Sequence, residues 1–129
     1  MNFEEINNSD LLVKKFGEWP SFHDSEVTDL AISNSDSSVN LKIQVDIPQY
    51  DQQKYIRSYS TTLLFKNIQS LKLEQFSNQN VLFDLIFNDI SDKQLENINY
   101  EIVLDPSCGL YCKFICEKIE IIDLKQKTN

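Results

Sequence analysis

The chain has 129 residues and is 41% hydrophobic, which predicts one globular domain, 1–129, able to bury roughly two thirds of its unfolded surface. Its 20 acidic and 12 basic residues give a net charge of −8, which disfavours direct binding to nucleic acid and favours a basic partner. No apolar run approaches the roughly 20 residues that a membrane span needs, and the N-terminal residues lack the apolar stretch of a secretory signal. We therefore expect a cytoplasmic protein that does not act in the membrane.

The first predicted element is a short helix that starts at Ser9 as its N-cap and stops at Gly17 as its left-handed C-cap. A junction follows, from Trp19 to Val27, and it holds the only tryptophan and the only histidine of the chain. The junction lies between a helical pattern and the first strand pattern, so the chain is expected to change direction there.

This junction is expected to be a packing and hydrogen-bonding corner. Pro20 fixes its own φ and pushes Trp19 towards an extended conformation. Trp19 and Phe22 would close one end of the core, while His23, as the buried partner of the Asp24 carboxylate, ties the loop to the sheet. A partner-binding role for Trp19, His23 and Asp24 is the alternative, and it stays open at this point.

Period-two alternation of apolar and polar residues predicts antiparallel strands over most of the remaining chain. The predicted strands are 28–33, 39–47, 59–65, 71–73, 81–87, 100–104 and 110–116. Pro48 is predicted to end the second of these strands and to open a loop over 49–58.

The other connections follow from composition and pattern: a turn over 33–38, one helical turn within 91–97, a bulge or corner at Glu117 and a polar tail, 125–129. Many short strands with one clear helix predict the α+β fold class, mostly antiparallel β. We expect a sandwich-like or strongly bent sheet with one short N-terminal helix.

Cys108, Cys112 and Cys116 recur at a spacing of four in a chain expected to be cytoplasmic, which argues against a disulfide framework. On a strand this spacing places all three on one face, where free cysteine behaves as a small buried hydrophobe. A metal site would need further ligands, and the one histidine is far away in sequence. We expect reduced, unmetallated and mostly buried thiols, with no metal and no cofactor.

His23 beside Asp24 invites a catalytic interpretation, with the imidazole as a general base oriented by the carboxylate. The chain lacks the glycine-flanked serine of hydrolases, a phosphate-binding glycine loop and a helical pair of zinc-binding histidines. No catalytic residue is therefore assigned. A small enzyme that uses these two residues stays as the weakest alternative.

Asn78 and Asn80 lie in a predicted turn, where such residues cap backbone groups more often than they recognise a ligand. They complete a predicted structural motif, whose other members are Pro20, Phe22, Phe76 and Gly109.

Acidic residues are grouped at two places, Asp24 with Glu26 and Asp29, and Asp46 with Asp51. Such groups are typical of solvated faces. The alternative is an acidic patch that faces a partner.

The stretch from Trp19 to Val27, WPSFHDSEV, resembles the WPSFHDAEV-type signature of the immunity protein 50 family. The resemblance continues from Leu73 to Leu85, which is similar to the family's L-x-x-F-N-x-x-N-V-L-x-D run, with Ser77 where asparagine is expected. It ends in two segments that are similar to the family's late strand, turn and strand, Leu104–Leu110 and Cys116–Ile121.

Members of this family are the neutralising partners of secreted polymorphic toxins in bacterial conflict systems. The resemblance therefore implies a non-enzymatic, cytoplasmic immunity protein that binds a cognate toxin domain, predicted to be basic. The candidate binding residues are Trp19, His23, Asp24, Glu26, Asp29 and Asp51. The competing hypothesis is an interaction domain with an unrelated protein partner. The sequence gives neither the toxin's chemistry nor the oligomeric state.

Overall fold

An eight-stranded antiparallel sheet carries most of the hydrophobic core in the computed structural model, which describes residues 1–35 and 37–127. The strands are β1 Glu26–Ser35, β2 Ser38–Asp51, β3 Lys54–Lys66, β4 Gln69–Glu74, β5 Val81–Asp89, β6 Tyr100–Cys108, β7 Tyr111–Cys116 and β8 Lys118–Gln126. The helix α1 spans Asp10–Phe16, and short 3₁₀ turns span Phe3–Glu5 and Ser91–Lys93. The predicted α+β class, mostly antiparallel β with one short N-terminal helix, is confirmed.

The strand order, β4-β7-β6-β5-β1-β2-β3-β8, divides the sheet into two halves. The first half-sheet contains β1, β2, β3 and β8, and the second contains β4, β5, β6 and β7. The two halves are joined between β1 and β5, where Glu26 lies opposite Val81. Long ladders hold each half together, whereas this seam between the halves is short.

The sheet is bent so far that its two halves face each other. The rings of Phe65 on β3 and Phe114 on β7 have centroids 4.9 Å apart, although five strand spacings separate these strands, roughly 24 Å in a flat sheet. The chain also passes through Glu117 alone from β7, the second strand in the sheet order, to β8, the last. Both observations confirm the predicted strongly bent sheet and the corner at Glu117.

The inward face of each half-sheet supplies the core by strict alternation. In β2, Leu41, Ile43, Val45 and Ile47 are buried, and the residues between them are not. Opposite them, β6 contributes Ile102 and Leu104 and β7 contributes Phe114. Burying a side chain of this size stabilises the fold by about 1.5–3 kcal/mol, so alternation fixes the register of every strand with a core face.

The N-terminal segment closes one open end of the core and one edge of the sheet. Leu12 of α1 and Ile6 are buried in the shared core. Asn7 pairs with β8, its N–H donating to the carbonyl of Ile119 at 3.0 Å, so the backbone edge of β8 is covered there. Tyr100 donates to the carboxylate of Glu5 at 2.8 Å, and burial, with this bond, raises the pKa of the phenol.

The helix boundaries follow the predicted residues, but one cap differs. Gly17 has φ 83° and its N–H donates to the carbonyl of Val13 at 2.8 Å, as a left-handed C-cap requires. Ser9 occupies the N-cap position without a side-chain cap bond, because its backbone is already helical. A cap of that kind needs an extended N-cap residue, so the predicted Ser9 bond is wrong.

The predicted loop over 49–58 is wrong: β2 continues through Pro48 to Asp51, and β3 returns from Lys54. Beyond Asp46, no strand of the described chain pairs with β2 on its β1 side, and a proline without an N–H is tolerated where a strand is paired on one side only. The two turn residues, Gln52 and Gln53, both have positive φ, 50° and 66°. This is type I′ geometry, for which glutamine gives no sequence signal.

Three smaller predictions can also be compared with the structure. The helical turn within 91–97 is the 3₁₀ turn Ser91–Lys93. The predicted tail, 125–129, begins inside β8, while Thr128 and Asn129 lie outside the described residues, as does Asp36 of the predicted turn over 33–38. None of the helices in the described ranges is long and apolar enough to cross a membrane.

The three cysteines do not share one strand face. Cys108 ends β6 and is exposed, whereas Cys112 and Cys116 lie on β7 and are buried. A turn at Gly109 separates the first from the other two, so the predicted burial of all three is wrong for Cys108. Within the described part of the chain, no group of His, Cys, Asp and Glu side chains is arranged to hold a metal ion.

A buried asparagine and a glycine lock the β4–β5 turn to the β6–β7 turn. The side-chain oxygen of Asn80 accepts from the N–H groups of Ser77 and Leu110, each at 3.0 Å, and its amide donates to the carbonyl of Ser77 at 2.8 Å. Gly109 packs so closely that an added Cβ would lie 2.3 Å from the carbonyl oxygen of Gln79. Its φ of 81° also disfavours any side chain.

Replacing Gly109 by alanine is expected to destabilise the fold by at least about 3 kcal/mol, because left-handed strain adds to a clash with backbone. Gly17→Ala is the matched control: its φ is 83°, but nothing lies within 4 Å of the added Cβ, so only strain of about 1–2 kcal/mol is expected. Urea denaturation monitored by circular dichroism measures both. Equal losses in the two variants would contradict the proposed clash.

Thiol labelling is expected to separate the cysteines of the folded protein. Burial raises the pKa of Cys112 and of Cys116 to about 12, so neither forms the reactive thiolate at pH 8 without opening of the core. Dithionitrobenzoate should label Cys108 quickly, and mass spectrometry should find one adduct before unfolding. In Cys108→Ser, rapid labelling of the folded protein would contradict this arrangement.

Candidate binding surface

The junction between α1 and β1 is built on an aromatic cluster. The ring of Trp19 stacks on that of Phe3, with centroids 4.9 Å apart, and meets the edges of Phe22 and Phe87 at 5.7 and 5.6 Å. Phe22 is buried and Trp19 is half-buried against the core. Trp19, one of the candidate binding residues, therefore packs beneath the junction against the core.

A strained turn lies on this cluster and projects two polar side chains outwards. Phe22 has φ 63° and Asp24 has φ 64°, and the N–H of Ser25 closes the turn on the carbonyl of Phe22 at 3.1 Å. Positive φ is uncommon for a bulky residue, and burial of the Phe22 ring offsets its cost of about 1–2 kcal/mol. The turn leaves His23 and Asp24 exposed to solvent.

His23 ties the turn to β5 at the surface of the protein. Its Nδ1 donates to the carbonyl oxygen of Phe83 at 2.8 Å, and its Nε2 lies 3.4 Å from a carboxylate oxygen of Asp24. The side chains are 53% and 47% exposed, so the expected buried pair is wrong, although the expected link to the sheet is present. Both ring nitrogens face a partner, an arrangement suited to positioning the loop rather than to accepting a substrate proton.

A two-stranded hairpin arm, 48–58, extends the sheet beside the junction. The ladders of the neighbouring strands end at its base: β1 pairing begins at Asp46, β8 pairing ends at Tyr59, and the N–H of Lys127 donates to the carbonyl of Ser58 at 2.9 Å. Tyr50 and Tyr55 face each other across the arm with their rings edge to face, 6.2 Å apart. They are 52% and 53% exposed, and Ile56 beside them is 41% exposed.

Sequence reasoning missed the arm because Pro48 indicated a loop. Two tyrosines and an isoleucine in an otherwise polar stretch were the signal that could have found it, since exposed aromatic residues mark binding surfaces more often than connections.

An open groove of about 300 Å³ lies between the hairpin arm and the junction. Its lining comprises Phe16, Glu18, Pro20, Ser21, Phe22, His23, Asp24, Ile47, Pro48 and Tyr50. Two carboxylates stand in this lining, and it contains no lysine or arginine among the described residues. The groove thus combines apolar walls with a negative rim.

The other predicted acidic residues do not form one patch with the groove. Asp51 is exposed at the tip of the arm, next to Tyr50. Glu26 is half-buried opposite Asp46, which pairs with Lys127 and raises the pKa of that ammonium group. Asp29 accepts from the N–H of Leu30 at 3.1 Å further along β1. Of the candidate binding residues, only His23, Asp24 and Asp51 adjoin the arm or groove.

The residues of the predicted structural motif also lie in different places. Asn80 and Gly109 form the buried lock described above, and Pro20 and Phe22 form the junction floor. Phe76, however, is 48% exposed, and Asn78 is exposed in the turn that Asn80 holds.

His23→Ala is expected to lower the free energy of unfolding by less than about 1 kcal/mol, because the bonds of an exposed imidazole are replaced by water. Asn80→Ala should cost about 2 kcal/mol or more, since it strands the buried N–H of Leu110. Thermal and urea denaturation compare the two variants directly. A larger loss for the histidine variant would show that the junction depends on His23 more than its exposure indicates.

The comparison with protein-family models covers nearly the whole chain. The family model described as Immunity protein 50 matches residues 8–126 of the 129, a span that includes α1, the junction, the hairpin arm and the seam. No curated protein and no solved structure matches the chain. A match over this span shows membership, and the chain belongs to the Immunity protein 50 family.

Proposed function

We propose that this chain binds a cognate toxin domain of a bacterial polymorphic toxin system and neutralises it by direct contact, without catalysis, in the cytoplasm of the producing cell. The observation that carries the proposal is an exposed aromatic hairpin arm beside an acidic groove in a member of an immunity family. The arm and the groove together form the proposed contact surface.

The arm has the composition of an interface centre. Tyrosine is enriched at binding hot spots because it offers a large contact area and a hydroxyl at a small entropic cost. Tyr50 and Tyr55 are held side by side by strand pairing that runs from Pro48 opposite Ser58 to the two-residue turn. Two aromatic side chains are therefore presented in a defined geometry before a partner arrives, which reduces the cost of ordering them on binding.

The charge around the arm supports a basic partner. The net charge of the chain is −8, and Glu18, Asp24 and Asp51 lie around the groove and the arm tip. Lys54 and Arg57 lie on the returning strand, so the arm itself carries both signs beside the negative groove. Opposite charge on the partner would speed association at low salt and select against acidic surfaces.

Alanine at Tyr50 or Tyr55 is expected to weaken binding to the proposed cognate toxin domain by about 2 kcal/mol or more, roughly thirtyfold, as for hot-spot aromatic residues. The reason is that each substitution removes exposed aromatic area without touching the core. Isothermal titration calorimetry gives the affinity, and co-expression with the toxin gives its neutralisation as cell growth.

Phe76→Ala is the matched control, because Phe76 is an equally exposed aromatic residue outside the arm and the groove. The affinity of this variant for the toxin domain should stay within about threefold of that of the unmodified chain. Failure of the unmodified chain to protect cells from the toxin would refute the proposed function. Protection retained by both arm variants would instead place the contact on another surface.

A further inference from the structure

We infer that the groove between the arm and the junction receives a lysine or arginine side chain of the protein partner. This inference rests on the proposed function, since it names the chemical group that the same surface recognises. It is carried by the shape of the groove, the charge of its lining and the placement of one aromatic ring.

The walls of the groove suit the aliphatic part of a long basic side chain. Pro20 and Pro48 stand half-buried in the lining, above the buried side chains of Phe22 and Ile47. Lysine and arginine pack their methylene groups on apolar surfaces of this kind while the charged head remains near water or a carboxylate. At about 300 Å³, the groove has room for a side chain, well beyond the roughly 30 Å³ of one water molecule.

The rim of the groove offers three features that attract a cation. The carboxylates of Glu18 and Asp24 stand in the lining, and over the described residues neither has a lysine or arginine within ion-pair distance. The ring of Tyr50 is 52% exposed, and aromatic faces attract ammonium and guanidinium groups. A carboxylate pair with an aromatic face is a suitable environment for arginine in particular, because its planar head can both stack and form bidentate bonds.

The two lysines that precede Glu18 in the helix are engaged elsewhere. Lys14 pairs with Asp10, one helical turn earlier, and Lys15 lies over the ring of Tyr59, 5.3 Å from its centroid. The lining itself contains His23, whose Nδ1 donates to the carbonyl of Phe83 and whose Nε2 lies 3.4 Å from Asp24. The negative rim is thus left for a cation supplied by the partner.

The first test uses N-acetyl-arginine amide as the probe and the uncharged isostere N-acetyl-citrulline amide as its control. Titration of the ¹⁵N-labelled full chain should shift the amide signals of Ser21, Asp24 and Tyr50. The citrulline probe should bind about fivefold more weakly, because it lacks the charge that an exposed carboxylate recognises. Added salt should narrow this difference. Equal binding of the two probes, or shifts confined to other residues, would overturn the inference.

The second test uses the double variant Glu18→Gln and Asp24→Asn, which removes both charges and keeps the size of each side chain. Asparagine tolerates positive φ, so the turn at Asp24 should keep its conformation, as circular dichroism would verify. Arginine-probe affinity should fall about fivefold, to that of citrulline. Asp92→Asn with Glu96→Gln is the control, since it removes two exposed charges outside the groove and should leave probe binding unchanged.

Measurement of toxin binding separates this inference from the proposed function. Loss of toxin affinity in the arm variants and in the groove variant supports the inference and the proposed function together. If the arm variants lose the toxin while Glu18→Gln with Asp24→Asn retains full affinity, the inference is overturned and the proposed function stands. If the unmodified chain binds the arginine probe but not the toxin, the proposed function fails and the cation site stands.

Discussion

The two half-sheets are joined along one short seam, and the rest of the architecture depends on it. Across this seam, the N–H of Asp24 donates to the carbonyl of Leu82 at 2.9 Å, and that of Val27 donates to the carbonyl of Asn80 at 2.8 Å. The junction therefore has two tasks, since it leads the chain from the helix into β1 and it also joins the halves. Asn80 serves both the seam and the lock with Gly109. The junction also contains the two positive-φ residues Phe22 and Asp24, so its backbone differs from that of a regular strand.

Sequence reasoning predicted the elements whose residues face one common core. In β2, alternation from Leu41 to Ile47 identified the strand, because burial on one face imposes a period of two. The same logic failed where no core face exists. In the hairpin arm, 48–58, nothing alternates between buried and exposed, and Gln52 with Gln53 replaces the usual asparagine and glycine of such a turn. The burial of Cys108 was predicted wrongly because the spacing of four between the cysteines continues through the sequence, whereas the turn at Gly109 divides them between two strands.

The candidate site was predictable in part for a related reason. His23 and Asp24 are visible in sequence as an unusual pair in a short motif. The groove itself is not visible, because Glu18 and Tyr50 are about 30 residues apart and meet only after β2 has run beside the junction. The exposure of His23 and Asp24 also could not be derived from their residue types. Because both side chains are exposed, the pair is expected to contribute little to the free energy of unfolding. Binding surfaces assembled from separate segments need the fold before they can be recognised.

The hairpin arm has a consequence for how partner choice can change over generations. Every residue from 50 to 57 is exposed, so substitutions there remove no core packing and mostly alter stability by less than about 0.5 kcal/mol. The seam and the lock lie at a distance from these positions in the pairing scheme and are left undisturbed. Variation in the arm can therefore accumulate without a penalty in folding, and under the proposed contact a lineage could follow a changing partner surface by exchanging a few side chains on an unchanged sheet.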